Sequence, residues 1–201
     1  MEPESVVLRV ANPTYDDGLA FARYVDVASE GGFRYALGRR FANIIATAFI
    51  SPGHDLSYEY TVLAEENGVI VGMASGYTAE QHRGSSDLPL RQAPGNRVFR
   101  AMSMAFLHAF LRILGKHADG DFYLQFLAVD EGRRGRGVGS SLMEFMEKRA
   151  RAGDSARFTL DVSAKNDGAA RLYGRSGLAV ESAGPKISFR SLFVRRMIKD
   201  L

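Results

Sequence analysis

The hydrophobic pattern changes period several times along the chain. Val6 to Val10 alternate weakly and stop at Asn12-Pro13, which predicts a short first strand and a turn. Asp16 and Asp17 are placed to begin a helix over about Leu19 to Ser29, which Gly31-Gly32 should break. A second helix follows from Phe41 to Ile50 and ends before Ser51-Pro52-Gly53. From Tyr58 the apolar positions fall at Tyr60, Val62 and Ala64, then at Val69, Val71 and Met73. The Asn67-Gly68 pair between these runs predicts a tight hairpin. Thr78 to Asn96 is punctuated by Gly and Pro and reads as a loop. Val98 to Ile113 keeps helical spacing but is apolar on more than one side, the pattern of a core helix, with a substrate lid or a dimer face as the alternatives.

The densest strand signal is Phe122 to Val129, followed by a Gly- and Arg-rich loop and a helix from about Val138 to Ala152. Phe158 to Val162 is a further strand, Asp167 to Ser176 a short helix, and Leu178 to Ser182 and Leu192 to Ile198 two closing strands. Strands alternating with helices in the second half predict an α/β layer with some parallel pairing.

At 201 residues, 46% of them hydrophobic, the chain is long enough for one domain spanning 1–201 with its own core. The absence of Cys excludes disulfides, thiolate nucleophiles and Cys-containing zinc sites. His54, His82, His108 and His117 have no ligand-like spacing with acidic partners, so no metal is expected. A formal charge of +3 argues against a nucleic-acid coat, and Arg133, Arg134, Arg136, Arg149, Arg151, Arg195 and Arg196 are split between distant segments. Met1-Glu2-Pro3-Glu4 is acidic where a signal peptide is basic. The apolar stretches 41–50 and 101–114 are too short or interrupted to span a membrane, so a soluble, cytoplasmic protein is expected.

Chemistry concentrates in Asp130-Glu131-Gly132-Arg133-Arg134-Gly135-Arg136-Gly137-Val138-Gly139-Ser140, which joins a strand to a helix. Glycines at alternate positions let backbone N–H groups point into one concavity at the helix start, a natural anion site, and the arginines add attraction for phosphate. A nucleoside-triphosphate loop would need Lys before the Ser, and a dinucleotide loop would need Gly at its sixth position; neither is present.

The run Arg134-Gly135-Arg136-Gly137-Val138-Gly139, after a strand ending Leu127-Ala128-Val129, resembles the acyl-CoA pyrophosphate loop of the GNAT N-acetyltransferase family. A second family segment stands at the expected distance: Leu160-Asp161-Val162, Asn166, Ala169-Ala170-Arg171-Leu172-Tyr173 and Ser176-Gly177-Leu178. Glu131 stands where the family often has Pro, and Leu178 where it often has Phe. The resemblance implies an α/β fold: a mixed, twisted sheet of six to seven strands flanked by helices, with a loop-plus-helix insertion over 79–119 before the central strand.

It also implies acetyl-CoA as co-substrate and an amine as acceptor, by direct attack in a ternary complex. Leu127, Ala128 and Val129 would pair through their main chain with the pantetheine arm. Loop amides from Arg134, Gly135, Arg136, Gly137, Val138, Gly139 and Ser140 would hold the pyrophosphate, and Asn166 would bond the arm or merely cap the following helix. Tyr173 would protonate the leaving thiolate or at least hydrogen-bond to it, or serve only as a core residue. Asp161 would accept a proton through water, or serve only structurally. Tyr123 and Gln125 occupy positions where other members place acidic or His bases and would line the acceptor site. A noncatalytic acyl-CoA sensor on the same fold is the alternative; a homodimer is compatible with either, and neither a nucleic acid nor a membrane is expected as a partner.

Overall fold

In the computed structural model, which describes residues 6–86, 88–92, 117–184 and 194–201, a seven-stranded mixed sheet separates two layers of helices. The first strand, β1 (Val7–Val10), leads into helix α1 (Tyr15–Ala28). That helix starts earlier than its apolar spacing suggests, because Thr14 caps it by accepting from the Asp17 N–H at 3.3 Å. Asp17 is itself tied down by Arg9, whose Nη1 and Nη2 donate at 2.7 and 2.8 Å. Burial pushes the Asp17 carboxyl up, but the Arg9 guanidinium and the Asn12 N–H outweigh it and hold it below the usual range.

Gly31 adopts the left-handed conformation that ends α1, yet Gly32 at once begins a short helix, α2 (Gly32–Leu37), where only a break was expected. Its Phe33 and Leu37 are buried in the core shared with α1 and α3 (Phe41–Phe49), and this burial stabilises a helix too short to form alone. The hairpin of β2 (Thr61–Glu66) and β3 (Val69–Thr78) turns at Asn67 and Gly68, both with positive φ, as the dipeptide predicts.

The segment read as a loop after Thr78 contains two short helices, α4 (Ala79–Arg83) and α5 (Leu88–Gln92). Thr78 and Gln81 form a reciprocal capping box that starts α4. The expected helix over Val98 to Ile113 lies outside the described residues, as does most of the 79–119 insertion. Then come β4 (Asp121–Val129), helix α6 (Val138–Ala152), β5 (Arg157–Ser163), helix α7 (Asp167–Arg175), β6 (Ala179–Gly184) and β7 (Val194–Asp200).

The strand order is β1-β2-β3-β4-β5-β7-β6, and among the described pairs only β4 with β5 is parallel. One face of the sheet packs on α1, α2 and α3 around Phe21, Phe33, Ile45 and Phe49. The other packs on α6 and α7, where Val138, Leu142, Met143, Met146 and Ala150 form the buried stripe of α6. Each large side chain buried there contributes on the order of 2 kcal/mol.

Strand β4 changes faces midway. Phe122 and Leu124 belong to the α6 side, while Phe126 and Ala128 belong to the α1 side. The cause is a bulge: Leu124 stands opposite Gly76 and Phe126 opposite Ser75, leaving Gln125 as the extra residue. Gly76 is fitted to this distortion, since a Cβ there would lie 2.7 Å from the Tyr123 carbonyl oxygen and 2.7 Å from the Phe122 ring.

Candidate active site

The parallel pairing of β4 with β5 runs only from Asp121 with Arg157 to Leu124 with Leu160. Beyond it the strands part. Phe126 to Val129 stay with β3, and Asp161 to Ser163 stay with β7. Between them opens a cleft of about 600 Å³. The inner edge of β4 there has no strand partner among the described residues, so its peptide groups are available to an extended ligand.

The floor of the cleft at one end is the loop into α6. Gly135 and Gly137 have φ of 77° and 88°, values that side-chain-bearing residues rarely adopt, and the space beside each is open. Gly137 is the N-cap and supplies no side-chain acceptor; the first backbone bond of the helix is Ser141 N–H to Gly137 O, 3.0 Å. The amides of Val138, Gly139 and Ser140 therefore lack intrahelical acceptors at the positive end of the helix dipole. This suits a phosphate.

The arginines of this loop divide their work. Arg133 pairs with the buried Glu66 and fastens the loop to the end of β2. Arg134 lines the cleft and donates from Nε to the Val129 carbonyl at 3.3 Å. Arg136 is exposed and does not line the cleft, and the Val138 side chain is buried under α6. Leu127, Ala128, Val129, Gly135, Gly137, Gly139 and Ser140 all line it.

Asn166 lies on the wall and caps α7, its Oδ1 accepting from the Ala169 N–H at 3.0 Å. Its amide nitrogen makes no hydrogen bond to a described residue. Tyr173, two turns along α7, is buried at the cleft wall, and its hydroxyl makes no hydrogen bond to a described residue. Burial pushes its hydroxyl up to about 12, so it is protonated at neutral pH and can donate a hydrogen bond.

Asp161 faces the same cleft from β5, but both of its oxygens already accept from Arg196, at 2.6 Å from Nη2 and 3.1 Å from Nε. Tyr123 does not reach the cleft lining. It is packed under it against Tyr77 and against His117, whose ring centroid lies 4.1 Å away, and burial followed by the neighbouring Asp161 charge raises its hydroxyl far above the ordinary value. Gln125 lines the cleft at the fork itself.

Three contributions were not evident in the sequence. Val27, Ala28 and Glu30 at the end of α1 close the opposite side of the cleft, Arg175 extends the α7 wall, and Arg196 engages Asp161 from the neighbouring strand. None carries a local motif; each depends on contacts between segments far apart in sequence. The histidines sort differently. His54 is a satisfied core residue bonded to Ala48 O at 2.9 Å, His82 pairs with Asp55 at 2.8 Å, and His108 lies outside the described residues. Among the described residues no group of three or more His, Asp or Glu is arranged to hold a metal ion, and no helix is long and apolar enough to cross a membrane.

Residues 34–178 match the model of the acetyltransferase (GNAT) family. Among solved structures, one described as an acetyltransferase is 25% identical, with 96% of this chain and 98% of that chain covered and a TM-score of 0.71. An N-acetyltransferase from Staphylococcus aureus Mu50 is 16% identical over 96% of this chain and 100% of its own, with a TM-score of 0.75. The yncA protein of Salmonella typhimurium, solved with its cofactor acetyl-CoA, is 18% identical over 98% of this chain and 94% of its own, with a TM-score of 0.56. Among curated proteins none matches the chain.

Proposed function

The chain belongs to the GNAT acetyltransferase family, and from that premise we propose that it transfers an acetyl group from acetyl-CoA to a primary amine of a small molecule or protein, by direct attack in a ternary complex. The observation that carries this reading is the parting of β4 from β5 with the uncapped start of α6 at its end. A pantetheine arm carries amides that can complete the open edge of β4, and a pyrophosphate suits the free amides and the helix dipole.

In this reading Leu127, Ala128 and Val129 bond the arm through their main chain, with Arg134 leaving the Val129 carbonyl as the arm enters. The amides of Gly135 to Ser140 take the pyrophosphate, and Arg136 contributes its backbone N–H rather than its exposed side chain. Asn166, its oxygen spent on capping, donates from its nitrogen. Tyr173 gives its proton to the departing sulfur, a role that its place on the cleft wall and its unpartnered hydroxyl support.

Asp161 is already engaged, because each of its oxygens accepts a hydrogen bond from Arg196. Its proposed part in proton removal runs through a water rather than by contact with the amine. An alkylamine is almost wholly charged at neutral pH, with a pKa of ~10.4, so the reactive neutral form is a minor one.

A free-thiol assay with acetyl-CoA against pooled amines tests the reading. Amine-dependent thiol release is expected. Coenzyme binding with no release across a broad panel would instead favour an acyl-CoA-binding sensor, the reading that the engagement of Asp161 by Arg196 supports.

A further inference from the structure

Gln125 is left out of the strand register and its side chain is left unsatisfied. It is the unpaired residue of the β4 bulge, one position past the last parallel pair, Leu124 with Leu160. Its carboxamide oxygen and nitrogen are both buried with no hydrogen-bond partner among the described residues, and the residue lines the cleft. An orphaned buried polar group costs stability that an apolar side chain of similar volume would not. The neighbouring strand accommodates the distortion only because position 76 is glycine. A costly side chain held by a costly backbone feature in a residue that lines a cleft points to a ligand that satisfies both of its ends.

The chemistry of the carboxamide identifies that ligand. Its acceptor oxygen and donor nitrogen flank a single carbon. In acyl transfer to an amine, the attacking nitrogen and the acyl oxygen likewise flank a single carbon, the one under attack. The two edges are complementary: oxygen faces N–H, and N–H faces the oxygen that gains charge. We propose that Gln125 is a catalytic residue that clasps the attacking amine and the acyl oxygen in a cyclic pair of hydrogen bonds, Oε1 accepting from the amine and Nε2 donating to the oxyanion. The proposal rests on the acetyl-transfer reading above.

The step balances without a proton passing through Gln125. The amine lone pair forms the N–C bond while the carbonyl π pair moves to oxygen. On collapse the C–S bond breaks, sulfur keeps the pair and takes the Tyr173 proton, and the surplus proton on nitrogen leaves to water. Tyr173 regains a proton from solvent. Asp161 cannot substitute for Gln125, since a carboxylate has no donor for the oxyanion. The clasp also favours amines over alcohols, because an attacking hydroxyl loses its single hydrogen whereas a primary amine retains one for Oε1.

Two substitutions test this, Gln125→Met and Gln125→Glu, each measured for turnover, for coenzyme A binding by calorimetry and for melting temperature. Gln125→Met should lower kcat by about 10²-fold, as expected for loss of an oxyanion donor. It should leave coenzyme A affinity unchanged and melt at or above the wild-type temperature. Gln125→Glu keeps the shape and the acceptor but loses the donor, and should also fall at least ~10-fold in kcat. Wild-type turnover in Gln125→Glu, or in a Gln125→Met protein, would overturn the clasp. So would coenzyme A affinity that falls in step with kcat, which would make Gln125 part of the cofactor grip. A wild-type protein that releases no thiol overturns the acetyl-transfer reading and the clasp with it; an active wild type with equally active variants overturns the clasp alone.

Discussion

Asp161 on β5 and Arg196 on β7 stand opposite each other in antiparallel register, and the guanidinium closes on the carboxylate through two hydrogen bonds. Both side chains are nearly inaccessible, at 3% and 9% exposure. The pair fixes the outer wall of the cleft where β5 leaves β4. Asp161→Asn removes the carboxylate that balances the buried Arg196 charge and should destabilise the fold by about 3 kcal/mol in urea unfolding. Asp161→Asn combined with Arg196→Met should recover most of that loss. Equal stability of wild type and Asp161→Asn would show that the pair does not hold this wall.

Tyr173 has a hydroxyl with no described protein partner, so its loss should leave packing nearly intact. Tyr173→Phe should reduce kcat by roughly 10²-fold or more while its melting temperature stays close to wild type. Unchanged turnover would remove Tyr173 from the reaction.

Gly137 combines a φ of 88° with an open flank, so an added methyl meets no neighbour and acts through the backbone alone. Gly137→Ala should cost on the order of 1 kcal/mol in stability. It should also weaken coenzyme A binding, because the relaxed loop no longer directs its amides into the cleft. Coenzyme affinity equal to wild type in a folded Gly137→Ala protein would contradict the anion role of the loop.

Local signals carried most of what could be read in advance. Asn67-Gly68 specified its hairpin, and the apolar run from Phe122 to Val129 specified the central strand. The glycine-spaced loop specified both the start of α6 and the end of the cleft that suits phosphate. The start of α4 was also written locally, in the Thr78–Gln81 capping box, but Gly and Pro nearby masked it. Helix α2 carries no comparable signal; it exists because Phe33 and Leu37 bury themselves in a core built from distant residues. The same holds in the cleft. Asn166 and Tyr173 were pointed to by the family resemblance of their segment, whereas the Arg196 bond to Asp161, the bulge at Gln125 and the approach of Glu30 depend on strand register and on helix packing across the sheet.

His117 rests on Tyr123 with both ring nitrogens buried and without a hydrogen-bond partner among the described residues. Burial, followed by the charges of Arg196 and His82, holds it down at about 4. Its folded value is thus depressed below the ordinary ~6.5, and the unfolded chain takes up a proton between those limits that the folded chain refuses. Stability from this site is full above the upper limit and is lost as the pH falls through the window. From about pH 7.5 to about pH 5 the wild type should therefore lose about 2 kcal/mol more than His117→Phe, measured by chemical unfolding at both pH values. Equal losses in the two proteins would mean that His117 does not carry this acid sensitivity.

Calorimetric titration of the purified, folded protein with acetyl-CoA and with free coenzyme A tests the cleft most directly. Saturable one-to-one binding is expected, weakened by salt because phosphate contacts dominate the loop end, and weakened again in Gly137→Ala. An absence of heat with both forms of the coenzyme would contradict the assignment of the parted strands and the α6 loop to acetyl-CoA.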